Sequence, residues 1–205
     1  MWIQYLLTIN KPFKIKIMKI FLIVIAALFT IFFAFSQNEN VKKEVYVLIK
    51  KIDEIKIRAY NESINASYYS KSESERNSYF KYLASYIFGG NSENKKISMT
   101  SPVTMRLHGD KEMIFRMPDK YTLDNLPEPN NTNINFFKIP PCIKASITYS
   151  GYSNKKIEQK KIQKLSKLLL ENNIQHNNEF EVLVYNSPYK IINRRNEITV
   201  NITYP

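Results

Sequence analysis

The stretch that decides the fold reads Ser85-Tyr86-Ile87-Phe88-Gly89-Gly90-Asn91 and then, after four further residues, Lys96-Ile97-Ser98-Met99-Thr100-Ser101-Pro102-Val103. Two glycines followed by asparagine typically end a helix, because glycine reaches positive φ angles without steric cost and asparagine tolerates them. Upstream, Ser72 and Glu75 form a capping box, which predicts a helix start at Ser72. Between these two signals, apolar residues recur every three or four positions at Tyr79, Phe80, Leu83, Ala84 and Ile87. The pattern predicts an amphipathic helix that packs on its own core.

Strand patterns lie on both sides of this helix. Residues 45–49 are almost wholly apolar, and in residues 55–60 Ile55, Ile57 and Ala59 alternate with polar neighbours. This alternation is the period of a sheet with one solvated face. A third strand is predicted at residues 64–69, and Gly109 predicts a turn at residues 107–110 that leads into a hairpin partner. The prolines between residues 118 and 141 predict a long irregular connection.

The second half of the chain repeats this order. A strand is predicted at residues 143–149, a helix from Ser153 to about Glu171, and two strands at residues 180–185 and 198–202. The predicted buried stripe of that helix consists of Ile162, Leu165, Leu168 and Leu169. Strands, one helix and strands thus occur twice, which favours an α+β domain with internal pseudo-symmetry.

Residues 1–36 have the pattern of a secretory signal peptide. Residues 20–35 form an uncharged run of 16 that follows four lysines, and Ala34 and Ser36 fit the −3 and −1 positions of a cleavage site. A spanning helix normally needs about 20 apolar residues, so we expect cleavage after Ser36, with an uncleaved anchor through residues 20–35 as the alternative. Met18 also resembles the start of a signal peptide. The remainder then comprises a linker at residues 37–43 and one domain at residues 44–205, exported to the periplasm or the extracellular space.

Charge and cysteine content exclude several kinds of site. The formal net charge is +12, but the basic residues are spread among Glu and Asp with no Arg-rich run, so we expect no nucleic-acid partner. Cys142 is the single cysteine, which excludes an intrachain disulfide and a thiolate metal cluster. The chain contains no C-x-x-C-H motif, which excludes covalent attachment of a c-type haem.

Several short motifs follow one another along the chain: Ser85 to Asn91 and Lys96 to Val103 as quoted above, Met117-Pro118, Leu126-Pro127-Glu128-Pro129, Tyr185-Asn186-Ser187-Pro188 and Arg194-Arg195-Asn196-Glu197. In sequence and in order, these motifs resemble those of the SOUL haem-binding protein family. The resemblance covers about residues 44–204. It implies a distorted antiparallel β-barrel of two pseudo-repeats flanked by two α-helices, with a shallow apolar cleft for haem or a related tetrapyrrole, bound reversibly.

The resemblance also implies which residues line the cleft. Phe80 and Leu83 correspond to the first helix of the family, and Tyr189 and Lys190 to the loop before its last strand. The basic helix positions of the family correspond here to Asn77 and Ser85, so we expect Arg76 and Lys81 nearby to hold the carboxylates instead. Some animal members carry a histidine, proposed as an iron ligand, directly after the strand arginine. This chain has Ala59 after Arg58, which implies binding by apolar packing with weak axial ligation and no metal ligand that we can name.

Other chemistry-bearing residues have simpler interpretations. His108 and His176 fall in predicted surface loops, and Met99, Met105, Met113 and Met117 on strand-like segments, where filling of the core is the commoner role. Cys142 is interpreted as a small core residue. Arg194-Arg195-Asn196-Glu197 invites a catalytic interpretation, but charged residues on a final strand more often pair across the sheet and fix its register.

The leading hypothesis is therefore an exported, monomeric carrier or buffer of haem or another tetrapyrrole, with no catalytic residues. Its only expected membrane contact is residues 1–36, if they are uncleaved. One alternative is an enzyme that acts on a hydrophobic small molecule in the same cleft, although no nucleophile with a base and no paired carboxylates are evident from spacing. Another is a partner-binding module whose apolar cleft docks a peptide or a membrane surface.

Overall fold

The computed structural model describes residues 20–21, 24–25, 45–69, 78–109, 112–187 and 189–204. The chain divides into two units, Met1–Glu44 and Val45–Pro205. The described residues of the first unit are helical. Within the described parts of the chain, no helix is long and apolar enough to cross a membrane. The predicted cleavage site, the linker at residues 37–43 and the capping box of Ser72 and Glu75 lie outside the described residues.

The second unit combines a large sheet with two helices. Its described strands are β1 (Tyr46–Ile52), β2 (Ile55–Tyr60), β3 (Ser63–Tyr68), β4 (Val103–Arg106), β5 (Met113–Arg116), β6 (Ile134–Ile139), β7 (Cys142–Tyr149), β8 (Gln175–His176), β9 (Glu181–Val184) and β10 (Asn196–Thr203). The helices are α1 (Tyr79–Ile87) and α2 (Lys155–Glu171), and a 3₁₀ turn covers Leu123–Asn125. The α+β class predicted from the sequence is confirmed.

All described strand pairs are antiparallel, in the order β1-β2-β7-β10-β9-β4-β5-β3-β6, with β8 on the end of β10. Among the described residues, β1 pairs only with β2 and β6 only with β3, so the sheet has two edges and does not close. The expected β-barrel is therefore wrong: this is an open ten-stranded sheet with two helices. The expected internal repeat is not confirmed.

The first core lies under α2. Alternate residues of β2, β7 and β10 supply Ile57, Ile147 and Ile198, and α2 supplies Leu165 and Leu169, all of them almost fully buried. The predicted stripe on this helix is confirmed, with Ile162 and Leu168 half-buried beside it. The helix begins two residues later than predicted, at Lys155, because the side chain of Asn154 accepts a hydrogen bond from the backbone N–H of Ile157 at 3.0 Å.

The second core lies under α1. Leu83 and Ile87 pack with Tyr68, Phe115 and Met117. It also contains residues of the segment that sequence analysis left irregular, namely Tyr121, Leu126 and Ile134. That prediction is corrected by β6, which lies between the prolines and pairs with β3 along its whole length. Half-buried Met105 on β4 packs against both cores, as a flexible thioether suits a junction of irregular shape.

Asn91 organises the break after α1. Its buried amide donates to the carbonyl oxygens of Tyr86 at 3.0 Å and Lys95 at 2.8 Å. Its side-chain oxygen accepts from the backbone N–H groups of Glu93 and Lys95 at 3.3 and 3.0 Å. Gly90 is required because a Cβ there would lie 2.8 Å from the Ser85 carbonyl oxygen, and Gly89 has a φ of +112°. These contacts turn the chain back, so that the N–H of Ile97 donates to the carbonyl of Ile87 at 2.8 Å.

We expect Asn91→Ala to lower the free energy of unfolding by about 1–3 kcal/mol, since buried backbone groups lose their partners. Urea unfolding of the full chain would measure this change. The matched control is Asn133→Ala, which removes an exposed amide and should change stability by less than about 0.5 kcal/mol. Equal stability of the two variants would contradict the structural role of Asn91.

Candidate functional site

The residues of α1 that were predicted to line the cleft differ in their exposure. Leu83 is fully buried in the second core, so in this structure it supports the helix from behind. Phe80 is half-buried, and its ring lies 5.6 Å from that of Phe115 on β5. Lys81, the next residue, is exposed. Arg76 lies outside the described residues.

The loop part of the predicted cleft projects from the sheet. After β9, Tyr189 is 90 % exposed and Lys190 is also exposed. Two hydrogen bonds hold the backbone beneath them, because the buried guanidinium of Arg194 donates through Nη1 to the carbonyl oxygens of Ser187 at 2.7 Å and Lys190 at 2.8 Å. Arg194 thus holds two carbonyl groups of this loop, while the side chains of Tyr189 and Lys190 lie in solvent.

Thr100 and Ser101 hydrogen-bond to β5, which lies under α1, and to the residue that precedes this loop. The hydroxyl of Thr100 donates to the carbonyl of Arg116, the last residue of β5, at 2.6 Å. The hydroxyl of Ser101 donates to the carbonyl of Tyr185 at 3.1 Å, where the chain leaves β9. Phe80 and Leu83 thus belong to the second core, Tyr189 and Lys190 follow β9, and residues 100–101 hydrogen-bond to both regions.

The side chains that could bind iron are few. Ala59 is half-buried on β2, between Val47 of β1 and Ile143 of β7, and offers no ligand atom. Within the described residues, no group of three or more His, Cys, Asp or Glu side chains could hold a metal ion.

The structure corrects three interpretations made from the sequence. His176 is not in a solvated loop but half-buried on β8, where its Nδ1 accepts from the N–H of Asn178 at 3.2 Å and its ring meets Phe180 edge-on. Met99 is exposed outside any strand, whereas Met117 is buried as expected. Cys142 was interpreted as a core residue but is only half-buried, at the start of β7. Its partial burial raises the pKa of the thiol.

Arg58 and Glu197 form the centre of a cluster of charges and aromatic rings, and sequence analysis did not identify Arg58 as the partner of the late charged motif. The two side chains are fully buried and form a bidentate pair, with nitrogen to oxygen distances of 2.5 and 3.0 Å. Strand β7 lies between their strands, and its Thr148 donates to the same carboxylate at 3.2 Å. The Tyr185 hydroxyl and the Arg195 guanidinium also donate to it, at 2.9 and 3.1 Å. The prediction that this charged motif pairs across the sheet is confirmed.

Aromatic rings enclose the ion pair. Tyr46 of β1 lies 3.9 Å from the Arg58 guanidinium, and the ring of Tyr185 lies 3.9 Å from that of Arg195. Burial raises the pKa of Tyr60, whose ring meets that of Tyr46 at 5.5 Å, to about 12. Two sequence features could have located this cluster. Arg58 is a charged residue inside a predicted strand, and Glu197 in the late charged motif carries the opposite charge.

The charge balance of the cluster holds Glu197 ionised. Burial by itself favours the neutral acid, but the hydrogen bonds and charge of Arg58, with the charge of Arg195, outweigh it and lower the pKa of Glu197 below its usual 4.5. Since the folded pKa is lower than the unfolded one, this carboxylate stabilises the fold fully above about pH 4.5. The contribution is lost as the pH falls through the folded pKa.

We expect Glu197→Gln to cost about 3–5 kcal/mol of unfolding free energy at pH 7, because it leaves Arg58 charged and buried without its partner. The difference from the unmodified chain should shrink below pH 4.5, and urea titrations at both pH values would measure it. Glu62→Gln is the matched control, since Glu62 forms an ion pair with Lys138 that is about half exposed and contributes under about 1 kcal/mol. A pH-independent difference for Glu197→Gln would contradict the assignment.

Comparisons with solved structures place the fold among known proteins. The C-terminal domain of EcmrR is similar with a TM-score of 0.56 and 12 % identity, covering 78 % of this chain and 99 % of that one. A hydrolase from Listeria innocua has a TM-score of 0.53 at 7 % identity, covering 76 % and 94 % of the two chains. An uncharacterized conserved protein from Listeria innocua has a TM-score of 0.57 at 7 % identity, covering 73 % and 92 %. At these identities the similarity concerns the fold alone.

Sequence comparison is more specific. No curated protein matches the chain. The model of the family described as SOUL heme-binding protein matches residues 41–201. The match includes α1, α2, strands β1 to β9, and β10 as far as Asn201. The order of the motifs quoted at the outset agrees with this match. The chain belongs to the SOUL heme-binding protein family.

Proposed function

We propose that this protein binds haem or a related tetrapyrrole reversibly and without a covalent bond, as an exported carrier or buffer. The observation that carries the proposal is the family match over residues 41–201. A bound tetrapyrrole supplies a flat apolar macrocycle and two carboxylates, so the protein must offer apolar surface and cations.

The residues proposed for the site have that chemistry. Phe80 and Tyr189 present aromatic surface, and Lys81 and Lys190 are exposed cations adjacent to them in sequence. Leu83 fixes the position of α1 from within the core. Arg76 completes the proposed set as a further cation. The aromatic rings bind the macrocycle by packing, and the basic side chains bind its carboxylates.

Export is proposed on the pattern of residues 1–36. Cleavage after Ser36 would release the domain into the periplasm or the extracellular space, and retention of residues 20–35 would anchor it. The role of carrier or buffer is proposed together with reversible binding and rests on the family match.

We expect haemin added at micromolar concentrations to give a saturable shift of the Soret band with the full chain. Tyr189→Ala should weaken binding about threefold to tenfold, since one aromatic contact is lost, and Lys190→Gln about twofold to fivefold, since one exposed charge pair is lost. Lys167→Gln is the matched control, an exposed lysine near the C-terminal end of α2. Absence of a saturable shift would overturn the proposal.

Alanine at position 59 gives a second prediction. Iron-free porphyrin should bind with an affinity within about threefold of that for haemin, because packing and the charge pairs contribute most of the binding and axial ligation contributes little. Resonance Raman spectra of the haemin complex should show weak axial ligation. A tightly held six-coordinate iron with two histidines would contradict this interpretation.

A further inference from the structure

Three large apolar side chains stand exposed together on the loop between β9 and β10. Tyr189, Ile191 and Ile192 are 90 %, 76 % and 74 % exposed. Soluble proteins expose single apolar residues freely, but a contiguous group of this size commonly marks a surface that contacts another partner. The haem proposal uses Tyr189 and Lys190 and assigns no role to the two isoleucines.

The loop is built to keep these side chains outward. The buried guanidinium of Arg194 binds the loop carbonyls of Ser187 and Lys190 from below, and its own face lies 4.5 Å from the ring of Tyr152. The N–H of Lys190 donates to the Ser187 carbonyl at 3.1 Å. The backbone on the N-terminal side of the two isoleucines is therefore hydrogen-bonded to the protein, while their side chains lie in solvent.

One lysine belongs to this loop, and another follows Tyr152, the residue that Arg194 contacts. Lys190 lies within the loop, and Tyr152, itself 53 % exposed, is followed within four residues by Lys156 at the exposed start of α2. The amide of Asn196 donates to the Gly151 carbonyl at 2.7 Å, which holds the chain before α2 beside the base of the loop. Aliphatic and aromatic side chains flanked by lysines match an anionic bilayer, in which the apolar groups enter the acyl boundary and the ammonium groups meet the headgroups. The net charge of +12 acts in the same direction.

We propose that residues 189–193, together with Tyr152, Lys156 and Lys190, form a docking surface for anionic lipid bilayers. This goes beyond tetrapyrrole binding and is separate from any anchoring by residues 1–36. The surface lets the protein rest on a membrane by its loop and leave it again, because two isoleucines and two lysines give reversible attachment only.

A local probe tests this in the full chain, where the N-terminal segment could bind membranes by itself. In a Cys142→Ser background, Ile192→Cys carries an environment-sensitive fluorophore, and Leu170→Cys carries it in the control. Leu170 is 77 % exposed at the far end of α2 and outside the surface, which makes the two sites equally accessible. Each labelled protein is mixed, without haemin, with phosphatidylcholine vesicles or with vesicles that also contain phosphatidylglycerol.

We expect a blue shift for the label at 192 with phosphatidylglycerol vesicles, and none at 170. Lys156→Gln and Lys190→Gln should each weaken the vesicle affinity about fivefold, and Ile191→Ser about tenfold. Leu170→Ser should change it less than twofold. Added salt should weaken binding.

Three outcomes would overturn the proposal. The label at 192 could remain in a polar environment with phosphatidylglycerol, could shift equally with phosphatidylcholine alone, or could shift without vesicles as the protein concentration rises, which would indicate a second copy as the occupant. Circular dichroism confirms that each variant is folded. A failure to bind haemin leaves all these results unaffected, so the two proposals are tested independently.

Discussion

The buried pairing of Arg58 with Glu197 is the constraint on which the central sheet depends. A bidentate pair must hold two strands at fixed separation and register, and here it spans β2 and β10 across β7. Tyr46 brings the edge strand β1 to the same centre, and Tyr185 brings the end of β9. A buried ion pair adds little net stability compared with apolar side chains of the same shape, because removing two charges from water costs free energy. Its value here lies in specificity, since a strand displaced by one residue would leave both charges buried without partners.

Much of the fold could be predicted because local patterns and tertiary packing agree. Alternation in β2 and the apolar stripe of α2 are one-sided patterns, and each meets the first core as expected. The long connection could not be predicted in the same way. Its prolines at 118, 127, 129, 140 and 141 are breakers, but residues 134–139 between them contain an edge strand whose neighbour lies about 70 positions earlier in the chain. Local sequence patterns also could not predict whether the sheet closes into a barrel. Closure requires that β1 and β6, the two strands at the ends of the strand order, pair with each other.

The candidate site was less predictable than the fold. Motif order identified the family and predicted which residues line a cleft, but whether a side chain faces out depends on packing from distant segments. Leu83 shows this limit, since the second core encloses it completely, while Tyr189 lies almost wholly in solvent. Pairing of the late charged motif across the sheet could be predicted, but its partner could not, because Arg58 and Glu197 are separated by 139 positions. Each taken separately resembles an ordinary charged residue on a strand.

The two cores of the domain differ in the interactions that hold them together. The first core and the ionic cluster join β2, β7 and β10 through charge, hydrogen bonds and aliphatic packing, whereas the second core is rich in aromatic rings and is closed by a nine-residue helix. Short helices gain little stability from their own hydrogen bonds and depend on tertiary contacts. The α1 half can therefore loosen and repack at low free energy while the α2 half keeps its shape. A tetrapyrrole bound beside α1, as proposed above, would therefore contact the part of the domain that opens at the lower free energy.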